Sequence, residues 1–499
     1  MRKGFLMVLA VVLVAAMAAP AMADLSTSGW VRIKGRVDSN LQTGGAAGAQ
    51  GGTFILPGTD VSTASFVEQR QRFILDWKSE NVGARAYFEI DFGAWGDVGY
   101  NVGRNAGAGL EADSINLETK NFYMWFNVPN TSVKVTAGLQ NLSDSFQGLI
   151  LGYADMAGIV VTGKMEPVEY RLGWAKFQEG SKTRDDDVDF YLAEVKFVPT
   201  KGAKLGVDFY VLRDASGSNT LATAGNGTNT TNLNTLGRAH ADYWDPTVNP
   251  TAFTYQPATF YYLGVDGSFI AGPATLSGFA LYNWGKIETL GGTIAGDNVA
   301  GGSTDLKAYA LDLRADMAVG PGKGFLEFGY VSGTKDSDND IKTIITGSNY
   351  ALAGSYPFTR MDMQILIPAA DEINSASSLA YDAQNKLRGM IIVAAGYSMK
   401  FDDRTSGKVG IGYMADDKVF VGQNQDGVSV KKHSATEINA NVNYEMVKGL
   451  NLGLYGAYAF LSDWEDYGTG QNVSAVNLAN MTRSADDIWR TYFRMNYAF

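Results

Sequence analysis

Apolar side chains recur at every second position in segment after segment of this chain, and nothing beyond residue 23 is long and apolar enough for a membrane-spanning helix. The last ten residues, RTYFRMNYAF, carry the pattern to the end. Phe499, Tyr497, Met495, Phe493, Thr491 and Trp489 share one parity, and Ala498, Asn496, Arg494, Tyr492 and Arg490 take the other. A period of two puts these sets on opposite faces of a strand, whereas at 3.6 residues per turn each would be smeared around a helix. Chain ends normally fray into water, so an apolar face that runs through the final residue implies a partner that holds it down.

The same alternation appears in GWVRIKGRV, where Val31, Ile33 and Val37 oppose Trp30, Arg32, Lys34 and Arg36, and in TEINANVNY, where Ile438, Ala440, Val442 and Tyr444 oppose Glu437, Asn439, Asn441 and Asn443. Short connections rich in turn formers (KSENVG, NVPNTS, KMEPVE, VPTKG, IAGPAT, VGPGKG, VKG) alternate with long polar ones such as residues 216–235 and much of 333–388. Pairing the segments as hairpins gives eighteen strands. Their cores begin near Gly29, Arg70, Ala84, Asn121, Val133, Gly158, Tyr170, Val188, Lys204, Phe260, Leu276, Leu306, Gly324, Gly389, Lys408, Ala435, Leu450 and Ile488. The segments near Gly158, Tyr170 and Gly389 are weakly patterned, which leaves sixteen strands as the alternative count. The fold class expected is all-β: a transmembrane antiparallel up-and-down β-barrel with short periplasmic turns and long extracellular loops, wide enough for an aqueous channel.

The opening residues fit export. Arg2 and Lys3 precede an apolar run from Phe5 to Ala19, then Ala21, Met22 and Ala23 form an A-x-A site, so residues 1–23 read as a cleaved signal peptide and 24–499 as the barrel. With no cysteine, disulfides, thiolate metal sites and c-type haem attachment are excluded. Removing Arg2 and Lys3 from the 41 basic side chains leaves 39 against 52 acidic ones, a net charge of −13 that disfavours nucleic-acid binding.

With the signal peptide, the hairpin QRFILDWKSENVGARAYFEIDFG, the segment VKVTAGLQNLSDSFQG and the terminal Tyr497 and Phe499, the chain resembles the porins of Gram-negative bacteria. The resemblance implies an outer-membrane location among lipid and lipopolysaccharide, a homotrimer, and recognition of Phe499 and Tyr497 by the barrel-assembly machinery. It also implies an acidic third loop folded into the lumen, here residues 141–157 with Asp144 and Asp155. The function it implies is passive diffusion of ions and small hydrophilic solutes through a water-filled channel. Alternatives are a substrate-selective channel, or a surface receptor or scaffold barrel, for example one sheathing redox partners.

Closing such a barrel brings the wet parities of the first, second, third and last strands together, so Arg32, Lys34, Arg36, Arg70, Arg72, Arg85, Arg490 and Arg494 form a basic wall inside an acidic protein. Glu68, Asp76, Glu89 and Asp91 share that parity and could neutralise it. Inward aromatics Trp30, Tyr87, Tyr123, Trp125, Tyr210 and Tyr492 fit either packing or a stacking track for sugars. The acidic groups Asp185–Asp187 and Asp336, Asp338, Asp340 read as solvated loops, since Ile341 and Gly347 stand where an EF-hand needs Gly and Glu. His240 and His433 are the only histidines, no Walker loop or dinucleotide fingerprint occurs, and neither an enzyme, a metal site nor a cofactor is expected.

Overall fold

The computed structural model describes residues 24–39, 41–43, 55–57, 63–95, 117–180, 182–183, 185–216, 256–294, 297–335, 338, 340–350, 359–367, 378–380, 382–385, 387–419, 432–464 and 485–499. The signal peptide, the 217–235 stretch, His240 and Asp336 lie outside the described residues, as does the side chain of Asp91.

Eighteen antiparallel strands close on themselves. They are β1 (Asp24–Ser39), β2 (Ala64–Lys78), β3 (Val82–Ala94), β4 (Leu117–Asn127), β5 (Lys134–Leu142), β6 (Ala154–Met165), β7 (Val168–Gln178), β8 (Val188–Thr200), β9 (Ala203–Asp214), β10 (Ala258–Ala271), β11 (Ala274–Ile294), β12 (Asp297–Val319), β13 (Gly322–Val331), β14 (Met390–Lys400), β15 (Thr405–Asp416), β16 (Ser434–Val447), β17 (Leu450–Ser462) and β18 (Ile488–Ala498). Each core start expected from the alternation falls within its strand or one residue before it, so the count is eighteen rather than sixteen. Every strand pairs with its successor, and β18 pairs with β1 from Trp30↔Ala498 to Ser39↔Trp489. Closure leaves no open edge and satisfies the backbone within the wall.

The terminal residue is tied down by this closure. Gly29 N–H donates to the Phe499 carbonyl at 3.1 Å, Phe499 N–H returns a bond to Gly29 at 3.0 Å, and the Phe499 ring lies 6.5 Å from Phe73 and 5.9 Å from Tyr497. Phe493, Tyr497 and Phe499 point outward, as do Leu205, Val207, Val265, Leu313, Ile411, Ile438, Val442 and Leu454, all exposed. An apolar exterior wrapped around a polar lining is the exterior of a membrane-spanning barrel. None of the described helices is long and apolar enough to cross a membrane.

The apolar core sits inside the barrel. Phe146, Leu149, Ile150 and Leu151, from the connection between β5 and β6, pack with wall residues Phe190, Tyr210, Tyr262 and Phe279 and with Ile344, Ile345, Tyr350, Met361, Met363, Ile365, Leu366 and Ile367, from the connection between β13 and β14. That second connection was expected to be a polar external loop, and this expectation is corrected: its described apolar residues fold into the lumen. Burying them removes a patch that water would otherwise meet, worth about 1.5–3 kcal/mol for each large side chain.

Candidate functional site

Two infolded segments and one charged wall define the lumen. The first segment, residues 143–153, is shaped by Asp144. Its carboxylate accepts backbone N–H bonds from Phe146 (2.6 Å), Gly148 (3.2 Å), Ile150 (2.7 Å) and Leu151 (2.6 Å). Burial pushes the Asp144 carboxyl up to about 6, while these four donors pull it the other way. The turn thrusts Phe146 against Tyr210, edge-on at 5.7 Å, and against Phe279 at 5.5 Å. Room for the ring exists because residue 264 is Gly: a Cβ there would stand 2.5 Å from the Phe146 ring. Asp144 thus organises the turn. Asp155 lies on β6 rather than on the segment, 2.8 Å from Lys120, because β5 runs to Leu142 and β6 starts at Ala154. Asp144→Ala leaves four N–H groups without their acceptor, at roughly 1–3 kcal/mol for each one that stays buried. The expected result is a folded barrel with larger and noisier single-channel currents, checked by electrophysiology beside a gel-mobility assay of folding.

The second segment crosses the lumen as a chord. At one end Arg360 donates to Asp312 (2.9 Å), Glu327 (3.3 Å), Ser277 (3.3 Å) and the Gln147 side-chain oxygen (2.8 Å), while Arg314 donates to the Arg360 carbonyl at 2.8 Å. At the other end Glu437, on β16, accepts the N–H groups of Gln364 (2.8 Å), Ile365 (2.8 Å) and Leu366 (2.9 Å). Arg490 donates to the Gln364 carbonyl. The segments also join each other, Gly347 N–H donating to the Ile150 carbonyl at 2.8 Å. Asp362, in the left-handed region at φ 56°, holds its half-exposed carboxylate 3.2 Å from Lys408 of β15.

On the wall, the sequence-predicted cations are brought together by β1, β2, β3 and β18. Lys34 pairs with Glu68 at 2.6 Å, Arg36 and Arg490 share Asp38 at 2.6 and 2.9 Å, and Arg85 pairs with Asp76 at 2.7 Å. Arg70 (2.6 Å), Arg72 and Lys120 (3.6 Å) converge on Glu89. Asp38 and Glu89 between them serve five cations, so the wall is both a paired network and basic on balance at that level. Register sets like charges directly opposite each other, Arg32↔Arg70 and Lys34↔Arg494, an arrangement that costs stability and is absent from a wall built for stability alone.

Aromatic faces soften the repulsion. Arg32 and Arg72 lie 4.8 and 5.0 Å over the Trp30 ring, Arg72 is 5.5 Å over Tyr87, Lys34 is 5.2 Å over Tyr492, and Arg494 is 4.6 Å over Tyr455. Of the other inward aromatics, Tyr210 belongs to the buried core, its hydroxyl donating to Glu194 at 2.7 Å. Trp125 carries Lys134 at 4.7 Å.

Lys120, Arg171, Arg314, Arg360 and Asp362 were not found by parity. Lys120 is the residue left unpaired where the register shifts between Tyr87 and Phe88, and the last two lie on a connection rather than a strand. The apolar runs TIIT and MDMQILIP inside a supposed external loop were the signal for that connection. His433 is buried beside β16, stacked 4.4 Å from Trp464 and 3.1 Å from Asp416, rather than presented on a surface loop. Asp185, Asp187, Asp338 and Asp340 are paired with Arg213, Lys176, Lys342 and Lys307, and no cluster fit for a metal occurs among the described residues.

No family model and no curated protein matches this chain. Solved structures align along nearly its full length at low identity. Acinetobacter baumannii OccAB4 covers 96% of this chain and 100% of its own, at 11% identity and a TM-score of 0.49. The BenF-like porin from Pseudomonas fluorescens Pf-5 covers 95% and 98%, at 10% and 0.48, and Pseudomonas aeruginosa OprD covers 96% and 97%, at 11% and 0.46.

Proposed function

We propose that the chain is an outer-membrane porin, a water-filled channel for passive diffusion of ions and small hydrophilic solutes, narrowed by the two infolded segments. The observation that carries this reading is the luminal wall: Arg32↔Arg70 and Lys34↔Arg494 keep like charges face to face inside a closed barrel whose exterior is apolar. Water reaches this interior, since the Arg72, Arg85 and Asp76 side chains keep 25%, 35% and 31% of their exposure. Fixed charges in a narrow lumen act at close range on a passing ion, and the apolar wall around them focuses their field. The basic side comes from Arg32, Lys34, Arg36, Arg70, Arg72, Arg85, Arg490 and Arg494. Asp362, on the chord with its carboxylate half exposed, joins Asp144 and Asp155 as an acid of the narrowed lumen.

Planar-bilayer recording tests the proposal. The purified, folded barrel is expected to conduct, and a folded barrel without conductance overturns the channel. Changing Arg32, Arg70 and Arg72 together to Ala is expected to move the reversal potential in a salt gradient toward cation preference, by a margin that shrinks at 1 M salt, where the Debye length falls to about 3 Å. A reversal potential equal to the parent's removes the charged wall from the mechanism and leaves sieving by size.

A further inference from the structure

The exterior of the barrel is not uniformly convex. Gly267 of β10 stands directly opposite Gly278 of β11, with Val265 opposite Ala280 and Leu313 of β12 opposite Gly278. Two paired glycines and the short Ala280 strip the outer face of side chains, while Leu205, Val265, Phe269 and Leu313, each roughly half exposed, stand around the gap. The result is an apolar groove of about 560 Å³.

Its height is informative. The groove begins at the turn end of the strands, where Pro199 and Ala203 form its lower lip, and its floor spans Leu276 to Ala280. Four residue steps are about 13 Å of strand, half of the apolar band, about 25 Å tall, of an outer-membrane barrel. A partner barrel would lie along the whole band, whereas a chain from one leaflet ends at the midplane. Lys201 is exposed in the turn joining Thr200 to Ala203, between the lip residues in the chain.

We infer that this groove seats one acyl chain of an anionic phospholipid from the turn-side, periplasmic leaflet, with Lys201 facing the phosphate. The inference rests on the outer-membrane reading above. The glycine pair supplies the concavity, the flanking branched and aromatic side chains supply contact along the methylenes, and the lysine selects charge.

The test is native mass spectrometry of the full barrel released from vesicles of phosphatidylethanolamine and phosphatidylglycerol, comparing the parent with Ala280→Trp, which fills the groove, and Ala440→Trp, which adds the same ring elsewhere on the lipid face. The parent and Ala440→Trp are expected to retain phosphatidylglycerol that Ala280→Trp loses. Lys201→Glu is expected to retain lipid without preferring phosphatidylglycerol. Equal retention in all variants overturns the inference. So does an Ala280→Trp barrel whose oligomeric state changes while its bound lipid does not, which assigns the groove to a second copy. Failure of the outer-membrane reading is distinguishable, because a protein that does not float with the vesicles fails before any variant is compared.

Discussion

Replacing Glu437 with alanine is expected to widen the channel more than any single change in the charged wall. The Glu437 carboxylate is buried and holds three consecutive backbone N–H groups, those of Gln364, Ile365 and Leu366, with Asn439 donating a fourth bond at 2.8 Å. Removing it leaves these donors without their acceptor in an apolar setting, at roughly 1–3 kcal/mol each. The remaining tethers at that end are the Arg490 bond to the Gln364 carbonyl, the Asn439 bond to the Asp362 carbonyl at 3.2 Å, the Lys408 pair with Asp362 at 3.2 Å, and the Leu379 and Ala380 N–H bonds to the Ile365 and Leu366 carbonyls at 2.8 and 2.9 Å. The chord is therefore expected to swing off β16 while its Arg360 anchor holds, giving a higher single-channel conductance and a larger solute cut-off in liposome swelling. Glu437→Gln keeps an acceptor oxygen and is expected to fall between the two. A conductance in Glu437→Ala equal to the parent's would show that the chord does not narrow the pore.

Deleting Phe499 is expected to lower sharply the amount of assembled barrel and to leave the current through each assembled channel unchanged. The folded state loses two backbone hydrogen bonds with Gly29 and the ring contacts to Phe73 and Tyr497. Two such bonds are worth about 2 kcal/mol, well within the margin of about 5–15 kcal/mol typical of a folded protein. Stability alone would then cost little assembled protein, so a steep drop in the outer-membrane fraction, measured by immunoblot beside bilayer recording, points to the terminal aromatic as an assembly signal. Arg494→Ala, on the opposite face of the same strand, is expected to show the converse: normal assembly and a reversal potential shifted toward cations. The reverse pattern would overturn the division of labour between the two faces of β18.

Much of this arrangement was legible beforehand because a strand has a period of two and a closed barrel has only two faces. Parity assigned Arg32, Lys34, Arg36, Arg490 and Arg494 to the lumen, and closure made the two chain ends neighbours with no further information. The same rule was silent wherever a segment left the wall. Residues 359–367 do alternate, Met361, Met363, Ile365 and Ile367 against Asp362 and Gln364, yet they form no wall strand: Leu366 is buried with the odd positions because the segment packs into the core, and a period of two does not show that. Asp144 is one of the acids of the third loop that the resemblance implies, yet four backbone N–H groups of its own turn claim it, a matter of turn geometry that composition does not carry. Lys120 was lost because a register shift beside it breaks the count.

The sequence by itself therefore determined the barrel, a count of sixteen or eighteen staves, and its outward and inward faces, since each follows from local alternation plus the requirement that no strand edge stay open in lipid. Only the tertiary structure decided which connections fold inward, which carboxylates meet which cations, and where the lumen narrows. Those depend on contacts between residues far apart in the chain, such as Glu437 with Leu366 or Arg360 with Asp312, whose free energy has no period for a sequence to display.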